Sequence, residues 1–190
     1  DYYVLDTVST TSWSSGEDLY GGSWDSDPYT ITQRYSWDAG RGCFTYKYEV
    51  TNGYEVNADG TIKMRDIKDA EGNVTGKEPV PLITSIDPFL GGMFAIRTTG
   101  HGSDIFGNST YTTTWITFQV VRGKLVTIRT ESTTTGEDVL GNSTTSHSVT
   151  VNNYKWRNKT THEENTGADH TNDYYVLDTV STTSWSSGED

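Results

Sequence analysis

One cysteine, two methionines and four prolines stand among 190 residues, and lysine and arginine together number 14 against 26 acids. Each shortage excludes something. A lone Cys43 cannot close a disulfide within the chain, so the fold must be held by packing; Cys43 itself is expected as a small buried hydrophobe in a strand. A formal net charge of −12 repels phosphates and anionic headgroups, and no basic cluster interrupts it, so no nucleic-acid partner and no membrane partner are expected. The apolar runs are a handful of residues long, far below the roughly 20 that span a bilayer, so no membrane insertion is expected either. The chain opens on Asp1 without a basic-then-apolar leader, which places any export signal outside it.

What the sequence has instead is threonine, serine and aromatic side chains. It carries 32 Thr and 18 Ser, about 26% of the chain, with 12 Tyr, 6 Trp and 19 Gly, while the good helix formers are sparse. β-Branched and aromatic residues suit a half-buried pleated surface, so the chain reads as all-β. Tyr29, Ile31, Gln33, Tyr35 and Trp37 alternate with Thr30, Thr32, Arg34 and Ser36; beyond the turn Asp38–Gly42, Phe44, Tyr46, Tyr48 and Val50 alternate with Thr45, Lys47 and Glu49. That is a hairpin. Ile116, Phe118 and Val120, then Val126 and Ile128, flank the turn Arg122-Gly123 and make a second. Further strands are expected at 2–13, 54–57, 61–67, 74–80, 93–99 and 144–156. Residues 61–71 could form a short helix, but the turn pairs Asp59-Gly60 and Gly72-Asn73 bracket them and favour a strand. About ten short antiparallel strands define a β-sandwich or jelly-roll-like unit with long hairpins.

Residues 173–190, DYYVLDTVSTTSWSSGED, repeat residues 1–18 without a change, an offset of 172. Convergence does not produce such a run. Either the chain is one 172-residue unit of a tandem array plus the start of the next, or a copied segment was appended. The copy holds four acids and no lysine or arginine, so one period carries four fewer negative charges than the chain, −8. The chain divides into a β-sandwich unit over 1–156, a polar linker over 157–172 without a large apolar residue, and the copy over 173–190. Extended at 3.3 Å per residue, the linker spans about 50 Å. That is enough for Tyr174, Tyr175, Val176, Leu177 and Val180 to leave one unit and complete another sheet by strand donation.

A chain with this duplicated 18-mer and all-β composition resembles tandem-repeat surface adhesins and donor-strand filaments in architecture. The resemblance implies that copies of the chain are its partners and that main-chain hydrogen bonds of the inter-unit strand carry the longitudinal contact. Beads on a string, with 173–190 simply the first strand of the next domain, is the other way to read the same copy.

A shorter repeat lies inside the unit. Gly16-Glu17-Asp18-Leu19-Tyr20-Gly21-Gly22-Ser23, Gly102-Ser103-Asp104-Ile105-Phe106-Gly107-Asn108-Ser109 and Gly136-Glu137-Asp138-Val139-Leu140-Gly141-Asn142-Ser143 share G-[ES]-D-apolar-apolar-G-[GN]-S. Gly, Asn and Asp tolerate left-handed backbone and cap turns, so each copy reads as the tip of a long hairpin whose apolar pair tucks back onto the sheet. If the three tips gather at one end, they could form a contact surface or a calcium site through Asp18, Asp104 and Asp138.

Signals of chemistry are fewer. His162 and His170, with Glu163, Glu164 and Asp169, could chelate a metal if the linker folded, but a solvated linker is the simpler reading. No G-x-S-x-G elbow, H-E-x-x-H pair or phosphate loop occurs, although 26 acids could supply a glycosidase carboxylate pair. Exposed Tyr and Trp could stack on sugars; with so few aliphatics, most are needed in the core. Sequons at Asn73, Asn108, Asn142 and Asn158 invite N-linked glycans, above all Asn108 and Asn142 at equivalent tip positions and Asn158 at the linker, all expected to be exposed. The chain therefore reads as a non-catalytic structural subunit of an extracellular or cell-surface filament or tandem-repeat adhesin. It requires no cofactor beyond a candidate calcium ion. The alternative is a secreted carbohydrate-binding module or glycoside-active β-sandwich acting on surface glycans.

Overall fold

The computed structural model describes residues 5–83, 85–87 and 91–189. Within them the chain forms strands and no helix: β1 (Thr7–Ser12), β2 (Ser15–Glu17), β3 (Ser23–Ser26), β4 (Tyr29–Asp38), β5 (Cys43–Val50), β6 (Gly53–Tyr54), β7 (Met64–Lys68), β8 (Val74–Pro79), β9 (Gly92–Ser103), β10 (Ser109–Val121), β11 (Lys124–Glu137), β12 (Ser143–Asn158) and β13 (Asp173–Glu189). All pair antiparallel. One sheet runs β1-β4-β5, a large one runs β13-β12-β11-β10-β9-β3-β2 with β6 beside β9, and β7 and β8 pair alone. Both expected hairpins are present, β4 with β5 and β10 with β11. The strand expected over 2–13 is seen from Thr7; residues 2–4 lie outside the described residues.

The first two sheets face each other. Tyr48 of β5, Phe94 and Ile96 of β9 and Val120 of β10 are buried together, and Tyr29, Ile31, Val50, Ile116 and Phe118 pack around them. Alternate residues of each strand supply this core, which makes the fold sandwich-like and all-β. The large sheet outruns its core. Continuing the inward face of β9, β10 and β11 away from Phe94, Ile96 and Ile116, the positions become Thr98, Gly100, Thr112, Thr114, Ser132 and Thr134. Their hydroxyls meet across strands, Thr112 with Thr134 and Thr114 with Ser132, each at 2.9 Å. The threonine excess is thereby explained: β-branched residues hold the pleat where no second sheet covers it.

Two departures from expectation concern single stretches. Cys43 is exposed, because it opens β5 opposite Asp38 at the mouth of the hairpin turn, away from the core around Tyr48. The stretch 157–172 does not extend as a linker: Arg157 and Asn158 finish β12, and the rest folds into a closed loop. Lys159 N–H bonds Asn172 O at 3.0 Å, Asn158 N–H bonds Glu163 O at 2.9 Å, and Asn165 N–H bonds Trp156 O at 3.0 Å. Its polar side chains cap turns, as Asn158 Oδ1 does for the N–H groups of Thr160 and Thr161.

The β10–β11 turn is tied to the opposite sheet. The hydroxyls of Tyr46 and Tyr48 both donate to Gly123 O. Burial first, then the neighbouring Tyr48 hydroxyl, push Tyr46 up to about 12. A folded-state pKa above the ordinary phenol value gives stability that is whole below about pH 10 and is lost as pH rises through about 12. Tyr46→Phe should destabilise the chain by about 1 kcal/mol at neutral pH, since Tyr48 still serves Gly123. It should also flatten the fall in Tm between about pH 10 and 12; a parent and variant falling equally there would place the alkaline loss elsewhere.

Candidate functional site

The copied segment occupies two settings, and they use opposite edges of the strand. In the first copy, Tyr35 N–H donates to Asp6 O at 2.7 Å, Ser26 N–H to Ser14 O at 2.8 Å, and Asp18 N–H to Gly22 O at 2.8 Å. Opposed residues of an antiparallel pair alternate between bonded and non-bonded. Even-numbered residues therefore turn their main-chain groups toward β4 and β3, while Ser9, Thr11 and Ser15 turn theirs outward.

In the second copy the phase is reversed beyond Asp178. Lys159 N–H bonds Asn172 O, which makes the odd residues of β12 the bonded ones. The register then slips by one at Asn153/Tyr154, with Asp178 the extra residue, so Asn153, Val151 and Val149 oppose Thr179, Ser181 and Thr183. Close hydroxyl contacts mark the non-bonded pairs between them, Thr150 with Thr182 at 2.9 Å and Ser148 with Ser184 at 3.3 Å. Val180, Thr182 and Ser184 thus face outward, and these are the counterparts of Val8, Thr10 and Ser12, which bond β4 in the first copy. Among the described residues no strand covers the outer edge of β13, β1 or β2.

Side chains differ between the copies in the same complementary way. Trp185 of β13 stacks on His147 of β12, ring centroids 4.2 Å apart, with 55% of it still exposed, while its counterpart Trp13 is 67% exposed. Trp24 lies flat on Gly16, where a Cβ would come within 2.1 Å of the indole; the counterpart Gly188 meets only β12 atoms, at 3.5 Å and beyond. Of the expected inter-unit residues, Tyr175 stacks on Tyr154 at 5.2 Å and Val176 is half-buried, whereas Tyr174, Leu177 and Val180 are exposed.

A buried polar lock sets where β13 begins. Asp173 is 2% exposed; its Oδ2 meets His170 Nδ1 at 2.9 Å and accepts from Asn165 Nδ2 at 2.7 Å. Arg122, at φ 48° in the β10–β11 turn, donates to the main-chain oxygens of Asp173 and His170, and its guanidinium lies 4.5 Å from the centre of the Trp156 ring. His170 stacks on that same ring, centroids 4.5 Å apart and planes 12° from parallel. The two linker histidines do not meet: His162 Nδ1 lies 3.3 Å from the Tyr174 hydroxyl instead. Nothing in the sequence pattern distinguished Arg122 from an ordinary turn residue.

The three repeated tips lie in one row along the large sheet. Ser23 opposes Ser103, Ser109 opposes Glu137 and Ser143 opposes Glu189, so each tip meets the next in the same register. In every tip the aspartate closes the turn: Asp18 Oδ1 accepts from the N–H groups of Tyr20 and Gly22, Asp104 Oδ1 from Phe106 and Asn108, and Asp138 Oδ1 from Leu140 and Asn142. The Asn142 side-chain amide, then the Asn142 and Leu140 main-chain N–H groups, outweigh partial desolvation and hold the Asp138 carboxyl below its ordinary value. Asp18, Asp104 and Asp138 thus each serve their own turn. Among the described residues no group of three or more His, Cys, Asp or Glu converges as a metal centre requires.

The apolar pairs of the tips do not tuck back onto the sheet. Leu19 is 98% exposed, and Tyr20, Ile105, Phe106, Val139 and Leu140 are all exposed too, because the tips project past the core. Asp69 closes an equivalent turn between β7 and β8, accepting from Glu71 and Asn73 N–H, with Ala70 and Glu71 in place of an apolar pair. The turn chemistry therefore does not need the apolar pairs. The sequon amides are engaged in the same turns: Nδ2 of Asn108, Asn142 and Asn73 donates to Oδ2 of Asp104, Asp138 and Asp69. Folding back in this way leaves Asn108 and Asn142 half-buried, Asn158 is half-buried at the end of β12, and Asn73 is exposed.

No family model, curated protein or solved structure matches the chain.

Arg122→Ala removes two charged hydrogen bonds and the contact with Trp156. The expected cost is about 2 kcal/mol, or roughly 4–8 °C in Tm, and Arg122→Lys should not restore it because a lysine cannot present two donors from one plane. A calorimetric Tm for Arg122→Ala equal to that of the parent would remove the lock from the account.

Proposed function

We propose that the chain is one period of an extracellular tandem-repeat β fibre or surface adhesin, in which the 18-residue segment is the strand shared by consecutive periods. The observation that carries this reading is edge complementarity. One copy bonds β4 and β3 with its even residues, and the other, from Thr179 onward, bonds β12 with its odd residues. A single copy making both sets of bonds would place β12 of one period beside β4, in the small sheet, and β3, in the large sheet, of the next, leaving no open edge at the junction. Trp13 would then sit on His147 of the preceding period, and Gly188 would lie beneath the following period's Trp24. A charge of −8 per period repels neighbouring arrays and favours growth along one axis. Hydroxyl-rich uncovered faces and four sequons fit an extracellular or cell-surface setting.

One observation favours a second reading, glycan binding. An open cleft of about 440 Å3 is lined by Trp13, Trp24, Asp25, His101, Thr98 and Thr112, with Trp24 50% exposed. Indole faces stack on sugar rings, and the surrounding hydroxyls and carboxylate supply polar contacts. Saturable binding on a glycan array that is lost with Trp24→Ala would establish this reading.

The fibre reading makes its own demand. A chain ending at residue 172 keeps the outward edge of β1 and β2 but leaves β12 open, so it should form concentration-dependent oligomers in sedimentation velocity. The 190-residue chain should sediment as a monomer, and a synthetic 173–190 peptide should dissolve the oligomers by capping β12. Equally stable monodisperse monomers at both lengths would contradict strand sharing.

A further inference from the structure

We infer that the β11–β12 tip is a socket for Leu19 of the following period, a side-chain contact that fixes the register of the shared strand. The inference rests on the strand-sharing reading and adds a specific knob and hole to it. Within the chain the tips already interlock in this manner. Ile105 of the second tip presses its Cγ2 to 2.9 Å from where a Cβ on Gly21 of the first tip would stand, and Val139 of the third presses its Cγ1 to 3.1 Å from the same point on Gly107 of the second. Each time, the first residue of the apolar pair lies on the left-handed glycine of the tip before it, at φ 84° for Gly21 and 88° for Gly107. Val139 N–H also donates to Asn108 Oδ1 at 3.3 Å.

The series is open at both ends. Gly141 has the same φ, 88°, and among the described residues nothing comes within 4 Å of its would-be Cβ. Leu19, the first apolar residue of the first tip, is 98% exposed. The register that would join them is present, since Ser143 opposes Glu189 as Ser109 opposes Glu137, and residue 189 is the counterpart of Glu17, two residues before Leu19. The next tip in line therefore begins with a second Asp-Leu-Tyr, and its leucine falls on Gly141 with its N–H toward Asn142 Oδ1. The Asp69 turn, closed identically with Ala70 and Glu71, shows that the leucine is not there to make its own turn. The partner is another copy of this chain.

The test uses assembly of the chain ending at residue 172. Leu19→Ser should weaken its self-association about tenfold or more, as expected for uncovering a buried leucine, while Tyr20→Ser, at the second position of the pair, should leave it within about twofold. In the 190-residue chain Leu19→Ser should melt with the parent, because Leu19 is 98% exposed there, and Val139→Ser should melt lower. Unchanged assembly with Leu19→Ser overturns the socket and leaves strand sharing standing. Equal weakening by Leu19→Ser and Tyr20→Ser overturns it in favour of general apolar stickiness. A parent that does not assemble overturns both.

Discussion

A β-strand has two hydrogen-bonding edges, and everything distinctive about this chain depends on how one 18-residue sequence deals with both. At the start of the chain its even residues are satisfied by β4 and β3; at the end, beyond Asp178, its odd residues are satisfied by β12. Beyond the slip each copy leaves unpaired the groups the other pairs. A long open edge is ordinarily a hazard, since it templates pairing with any extended segment. Under the strand-sharing proposal each open edge would meet the partner that the other copy already has, with Trp185 over His147 as the existing half of a contact that Trp13 lacks.

The same demand shapes the rest of the sheet. A core of Tyr48, Phe94, Ile96 and Val120 covers only the end near the Arg122-Gly123 turn. Beyond it the strands run on as hydroxyl-bearing ladders, stable because every central strand is paired on both sides and because Thr and Ser bond across strands where packing is absent. Such ladders pin register less firmly than an apolar face does, since slipping by one residue exchanges threonine for threonine. Devices outside the ladders supply the register: the Arg122–Trp156–His170–Asp173 lock at one end of β13, the single-residue slip at Asp178, and the interlocking tips at the other end.

Alternation made β4, β5 and the lower halves of β10 and β11 legible in the sequence, because Ile31, Tyr35, Phe44, Tyr48, Ile116 and Phe118 fall on a period of two. The upper halves carry threonine on both faces, so periodicity is silent there, and only the D-x-x-G-[GN] turns showed that the chain reverses. Those turns mark the tips but not the fate of their apolar pairs, because projection past the core is a tertiary fact. Pairing of β3 with β9 joins residues about 80 apart and leaves no local trace. Arg122 looked like a turn residue and acts as an anchor, and the polar stretch after Trp156 looked like a linker because turn-capping Asn, Asp and Thr have the same composition as solvated chain.

Amide hydrogen exchange on a chain of two complete periods tests the central claim most directly. In the 190-residue chain Ser181, Thr183 and Trp185 should be protected by β12, while Val180, Thr182 and Ser184, facing outward, exchange fast. In the two-period chain both sets should be protected together, because the same strand then bonds β12 behind it and β4 ahead of it. Fast exchange persisting at Val180, Thr182 and Ser184, or protection there gained only as Ser181, Thr183 and Trp185 lose theirs, would contradict a shared strand.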